Sequence, residues 1–104
     1  MRLARAADLK ACWEEGRRWR TTLLELAWRP NQTGYPRIAI VVPRFQFTAV
    51  ARNRLRRRLR ETLRRGPLAR LPSVDLVVRS KRAAYAAPAP ALRGAMLTGV
   101  SQIT

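Results

Sequence analysis

The apolar positions of this chain change period several times, and each change marks an element. In residues 49–65, Ala51, Leu55 and Leu59 recur every fourth residue and Leu63 continues the row, with no Gly or Pro before Gly66-Pro67. That spacing predicts a helix with one narrow buried stripe. Residues 19–29 instead alternate, with Leu24, Leu26 and Trp28 on one face and Leu23, Glu25 and Ala27 on the other, and residues 37–42 are a nearly continuous apolar run. Both predict strands. Between them Pro-Asn-Gln-Thr-Gly-Tyr-Pro, residues 30–36, is turn chemistry, so an antiparallel hairpin of these two strands is expected. Residues 74–79, Val-Asp-Leu-Val-Val-Arg, predict a third strand in the same sheet.

Upstream, Asp8 is placed to cap a short helix in which Leu9, Cys12 and Trp13 share a face and Gly16 supplies the stop. At the other end Pro90 suits a helix start, and Leu92, Ala95, Met96, Gly99, Val100 and Ile103 trace a final helix that covers the sheet. Residues 43–48, 66–72 and 83–90 are read as connections. The expectation is one α+β domain over residues 1–104, ordered α-β-β-α-β-α with room for one further short strand.

Charge changes this picture most in residues 49–65, which carry eight arginines and one acid, Glu61. At about 100° per residue, Arg57, Arg60 and Arg64 lie opposite the apolar stripe. Arg54, Arg58 and Arg65 follow one flank, and Arg52 and Arg56 the other. A solvated helix face ordinarily mixes signs, and like charges spaced i,i+4 repel, so this helix is read as a polyanion surface. The whole chain agrees: 22 Lys+Arg against 6 Asp+Glu give a formal charge of +16, which implies long-range attraction to phosphate. Lys occurs only at positions 10 and 81, so nearly all the charge is guanidinium, which grips phosphate oxygens in pairs and stacks on bases.

Other chemistry is sparse. With no His and the single Cys12, neither an ordinary zinc site, an internal disulfide nor the usual base of a nucleophilic triad is expected. Asp8, Glu14, Glu15, Glu25, Glu61 and Asp75 have no spacing that suggests a two-metal carboxylate cluster. No apolar run approaches the roughly 20 residues that span a bilayer, and the basic start lacks a following apolar stretch, so it is kept with the mature domain and a cytoplasmic protein is expected. Leu9 and Trp13 read either as core packing or as an edge on which bases stack; Phe45 and Phe47 read either as core plugs or as stacking platforms. A stand-alone basic RNA-binding or ribosome-associated protein, a metal-dependent nuclease and a membrane-surface helix are the rival classes, the last disfavoured because the stripe has no aromatic anchor.

Read together, residues 34–42, 49–61 and 75–79 resemble the protein subunit of bacterial ribonuclease P. Arg52-Asn53-Arg54, followed by Leu55 and a basic pair, looks like that family's Arg-Asn-Arg signature, and residues 8–16 are similar to its first helix, with Leu9 in place of the first of two aromatic residues and Trp13 as the second. The resemblance implies a ribosomal protein S5 domain 2-like fold with a mostly antiparallel sheet and a left-handed β-α-β crossover, where the general rule gives a right-handed one. It implies an accessory subunit of an endoribonuclease that hydrolyses a phosphodiester to remove the 5′ leader of precursor tRNA. The RNA subunit is catalytic, magnesium is held mainly by that RNA and the substrate, and the protein supplies no catalytic residue, has no metal ligand assigned to it, aids substrate and magnesium binding and acts as a monomer within the complex. It further implies that Arg52, Asn53, Arg54, Arg57 and Arg58, with Arg56 and Arg60 of the same helix, contact the catalytic RNA. Leu9, Trp13 and Arg44 would border the single-stranded leader. Arg44 keeps the first of two basic residues usual in the family's loop; Phe45 and Phe47 stand at the second basic and the Gly positions.

Overall fold

The stretch Val-Asp-Leu-Val-Val at residues 74–78 is buried along its whole length, and a strand apolar on both faces belongs in the middle of a sheet. In the computed structural model, which describes residues 6–103, it does sit there. The described residues form α1 (Ala6–Glu15), β1 (Arg17–Arg20), β2 (Leu24–Pro30), β3 (Arg37–Val41), α2 (Ala49–Arg64), β4 (Val74–Ser80) and α3 (Ala89–Ser101), with 3-10 turns at Pro67–Arg70 and Arg82–Ala86. The sheet runs β1-β2-β4-β3. β1–β2 and β2–β4 are antiparallel, whereas β3–β4 is parallel, so β3, α2 and β4 form a crossover unit.

The expected hairpin between residues 19–29 and 37–42 does not form. β4 lies between the two strands, with Trp28 opposite Leu76 on one side and Ile38 opposite Leu76 on the other. The turn-rich segment after β2 is instead pinned across the start of β4. The Asn31 backbone N–H donates to the Ser73 carbonyl (3.1 Å), and the Gly34 N–H donates to Ser73 Oγ (3.1 Å). A hairpin does exist one element earlier. Residues 19–29 are not one strand but the end of β1 and the whole of β2, folded back so that Arg17 faces Trp28 and Arg20 faces Glu25; β1 is the further short strand. Asp8 does not cap α1, which already runs from Ala6, and lies in its first turn. Arg65 closes α2 as its C-cap.

The sheet separates two cores of unequal size. One face meets α2 and α3 through Leu24, Leu26, Trp28, Leu76 and Val78 against Leu55, Leu59, Leu63, Leu92, Met96 and Val100. Full burial of a leucine such as Leu59 is worth about 1.5–3 kcal/mol, so this larger core orients α2. On the other face α1 sits close because the contact is made of small residues, Cys12, Ala27 and Ala39, with Val77. The Cys12 thiol donates toward the Ala27 and Asp75 carbonyls, each at 3.3 Å. Burial raises its pKa, which keeps it a protonated packing group. At Gly16 a Cβ would strike the carbonyls of Cys12 and Trp28, so only glycine lets the chain turn from α1 into β1 at this depth.

Candidate RNA interface

Thr48 starts α2: its hydroxyl accepts the Ala51 N–H at 3.1 Å, a cap worth about 1 kcal/mol. With Leu55, Leu59 and Leu63 buried, the polar residues sort by side. Asn53, Arg54, Arg57 and Arg60 are exposed. Arg54, Arg57 and Arg60 have no hydrogen-bond or ion-pair partner among the described residues. Arg56 donates to the Asn53 side-chain oxygen at 3.0 Å. Glu61 is engaged by Arg64 (2.9 Å) and Arg65 (3.7 Å), so free cations concentrate on the N-terminal three turns. Arg52 and Arg58 differ from the rest. Half-buried Arg52 donates to the Val42 carbonyl (3.3 Å), and half-buried Arg58 donates to the Ala87 carbonyl. Each guanidinium ties α2 to a neighbouring element while keeping further N–H groups to offer.

Arg52 also opens onto a second surface. Leu9, Lys10 and Trp13 of α1, Val41, Val42 and Pro43 at the end of β3, Arg52, and Val77 and Arg79 of β4 line a groove of roughly 510 Å³. Trp13 is both core and wall: half-buried, it packs on the Cys12–Val77 cluster and presents its remainder to the groove. Two guanidinium groups attend its ring, Arg18 at 4.5 Å and Arg79 at 5.4 Å from the centroid. Arg18 is held there because its Nε donates to the Trp13 carbonyl at 3.0 Å. The groove thus offers an indole beside cations and apolar walls, the combination that stacks bases and neutralises a backbone in single strands.

The structure brings together Leu9, Trp13 and Arg52. It places Arg44 outside the groove, exposed in the loop beyond Pro43. Sequence reasoning missed Arg18, Arg79 and Lys10. For Arg79 a signal existed, since Asp75, Val77 and Arg79 alternate onto one face of β4. Arg18 lies in a polar four-residue strand with no such pattern.

The acids do not converge on a metal. Among the described residues no group of three or more His, Cys, Asp or Glu could hold one, and four of the six carboxylates face guanidinium groups. Glu15 faces Arg29, Asp8 faces Arg37, Glu61 faces Arg64 and Arg65, and Asp75 faces Arg37. Among the described residues the acids thus build no all-protein cage for magnesium. Asp75, read from the sequence as one scattered acid, is an anchor. It is 1% exposed, takes two bonds from Arg37 (2.8 and 2.7 Å), and takes one from the Asn31 amide (2.9 Å). Arg37 in turn reaches Asp8 of α1 at 3.8 Å. Burial pushes the Asp75 carboxyl up, but the Arg37 and Asn31 bonds outweigh it and hold its pKa below the ordinary value.

The family model described as Ribonuclease P matches residues 1–104. The chain is 37% identical over 82 residues to the ribonuclease P protein component of Nitrosococcus oceani, covering 78% of this chain and 68% of that one. It is 48% identical over 61 residues to that of Chromohalobacter salexigens, covering 58% and 46%. The structure of the RNase P protein from Thermotoga maritima is similar with a TM-score of 0.88 at 27% identity, over 100% of this chain and 98% of that one. That of the Staphylococcus aureus RNase P protein shares the fold with a TM-score of 0.87 at 18% identity, over 97% and 93%. A surface of unpaired arginines beside a cationic aromatic groove, on this fold and with this sequence match, places the chain in the ribonuclease P protein family, the accessory, RNA-partnered subunit of an endoribonuclease.

Proposed function

We propose that this chain acts in removal of the 5′ leader from precursor tRNA, docking the catalytic RNA subunit on the outer face of α2 and holding the single-stranded leader in the groove beside α1. The observation that carries this reading is the division of labour on one helix. Arg54, Arg57 and Arg60 face outward without partners among the described residues, while Arg52, at the same end, turns into the groove that contains Trp13. Fixing α2 to one RNA therefore fixes the groove beside it, which aligns a leader with the RNA that cuts. The outer arginines neutralise phosphates, and Asn53 adds a neutral donor and acceptor for a sugar hydroxyl or base edge of folded RNA. Trp13, Arg79 and Arg52 hold a strand without reading its sequence. In this reading magnesium belongs to the RNA subunit and substrate, the complex works in the cytoplasm, and the protein is a monomer within it. Among the described residues no helix is long and apolar enough to cross a membrane.

The test is reconstitution. Purified protein with precursor tRNA and magnesium is expected to cleave nothing. The same protein added to the RNA subunit at moderate magnesium and salt is expected to raise cleavage. Metal-dependent cleavage at the mature 5′ end by RNA-free protein would overturn the proposal.

A further inference from the structure

The loop between β3 and α2 has an unusual backbone and an unusual neighbour. Phe45 (φ 45°) and Gln46 (φ 69°) both stand in the left-handed region, which side-chain-bearing residues avoid. The two are the central pair of a turn that the Phe47 N–H closes by donating to the Arg44 carbonyl at 2.8 Å, and the turn is also held from outside. The Tyr85 hydroxyl donates to the Pro43 carbonyl at 3.0 Å, and the Phe47 and Tyr85 rings stack with centroids 3.7 Å apart and planes 4° from parallel. Arg82 adds a guanidinium 5.7 Å from the Phe47 ring centre. Phe47, Tyr85 and Arg82 line an open pocket of about 540 Å³ whose other walls are the small residues Ala83 and Ala86, with no acid among them.

A clamp that only held the loop would not need to leave its rings on an open pocket with an exposed cation beside them. Strained backbone kept at a surface is a pointer to function, and aromatic faces with a neighbouring guanidinium accept a base and its phosphate. The place of the cluster also matters. Arg58 of α2 donates to the Ala87 carbonyl, immediately after the 3-10 turn that carries Arg82 and Tyr85. The cluster therefore adjoins the flank of α2 that runs through Arg54 and Arg58, and through the Tyr85 bond to Pro43 it also reaches the edge of the groove that Arg52 enters. Val50, 68% exposed, heads that same flank one turn before Arg54.

We infer that Phe47, Tyr85 and Arg82 form a second RNA contact, a platform on which one unpaired nucleotide of the RNA subunit stacks while Arg82 meets its phosphate. This rests on the reading that α2 docks that RNA, and it adds a sequence-tolerant stacking anchor to a face otherwise built from charge.

The experiment measures affinity for the RNA subunit across a salt series for Phe47→Leu, Arg82→Gln, Tyr85→Phe and Arg54→Ala, with thermal unfolding of each protein and precursor-against-mature tRNA discrimination in each reconstituted holoenzyme. Phe47→Leu keeps apolar volume but removes a π face. It should weaken RNA-subunit binding about 5- to 150-fold, the range of one lost base stack, and leave the salt slope unchanged. Arg82→Gln should lower that slope by roughly 0.7–0.9, one phosphate contact. Tyr85→Phe loses the bond to Pro43 but keeps its ring, so it should lower thermal stability and leave affinity intact. A folded Phe47→Leu protein that binds as tightly as the parent, with Arg54→Ala weakened, overturns the platform and leaves the α2 reading standing. If Arg54→Ala is silent as well, the α2 reading fails and the platform with it. Loss of precursor discrimination in Phe47→Leu, at unchanged RNA-subunit affinity, would make the occupant the leader and overturn the assignment to the RNA subunit.

Discussion

Trp13→Ala is expected to weaken binding of precursor tRNA to the reconstituted enzyme about 5- to 150-fold while leaving mature tRNA unchanged. One stacked base is worth about 1–3 kcal/mol by alanine substitution, and only the precursor carries a leader to occupy the groove. The size of the effect depends on what remains. Arg18 keeps its bond to the carbonyl of residue 13, and Arg79 and Arg52 belong to other elements, so the attraction to phosphate should be kept and the loss should be that of a π surface. Because Trp13 also packs on the Cys12–Val77 cluster, Ala removes part of the smaller core and should lower thermal stability. Trp13→Leu separates the two roles: it restores most of the apolar wall but no ring. Stability should return in Trp13→Leu while the precursor-specific loss persists. Equal weakening of both tRNAs, or full recovery of precursor binding in Trp13→Leu, would show that Trp13 serves only to pack α1.

Removing the Asp75 carboxylate should have the largest effect on stability. It accepts three bonds from two residues and lies in the central strand. Asp75→Ala leaves Arg37 without its bidentate partner and the Asn31 amide without an acceptor. Arg37 keeps about a quarter of its side chain in water and can rehydrate, so the low end of the range for breaking a buried charged pair applies, about 2–3 kcal/mol. For a domain of this size that lowers Tm by roughly 10–20 °C. The same bonds set an acid limit. The folded Asp75 pKa lies below the ordinary carboxyl value of about 3.9, so its contribution is present above that value and is lost as pH falls through the folded pKa. Stability should decline on acidification below about pH 5, and Asp75→Asn should show a shallower decline. Chemical denaturation at stepped pH checks both, and parallel curves for the two proteins would contradict the account. Arg37 also reaches Asp8, so slackening of α1 should accompany the loss, read as faster hydrogen exchange at Cys12 and Trp13.

The helices were legible because their periodicity is local. Leu55, Leu59 and Leu63 specify both where α2 lies and which side it buries, and Leu92, Met96 and Val100 do the same for α3. Strand order was not legible. Strand character was legible within residues 19–29, though not the break between β1 and β2, and within residues 37–42, but what keeps β2 and β3 from pairing is β4, more deeply buried than either, and the anchors from Asn31 and Gly34 to Ser73, forty or so residues away. β1 was hidden for another reason. Arg17, Arg18 and Arg20 leave Trp19 as its single apolar residue, so no alternation marks it. In the site, the signature helix could be found by sequence, but the division of its arginines could not. Arg52 and Arg58 are drawn inward by carbonyls of Val42 and Ala87, which belong to other elements. Arg18 and Arg79 were missed because, among 22 Lys+Arg, a cation stands out only when a partner such as the Trp13 ring is known to be near it.

The central claim is that the outer face of α2 docks the RNA subunit through phosphates, and Arg54 tests it most directly. Its side chain is exposed and has no partner among the described residues, so Arg54→Ala removes a contact without disturbing the fold, and circular dichroism and Tm should match those of the parent. Affinity of the folded variant for the RNA subunit, measured across a salt series, should fall, and the slope of log affinity against log salt should drop by roughly 0.7–0.9, the loss of one neutralised phosphate. An unchanged slope and an unchanged affinity would contradict the docking role of this face.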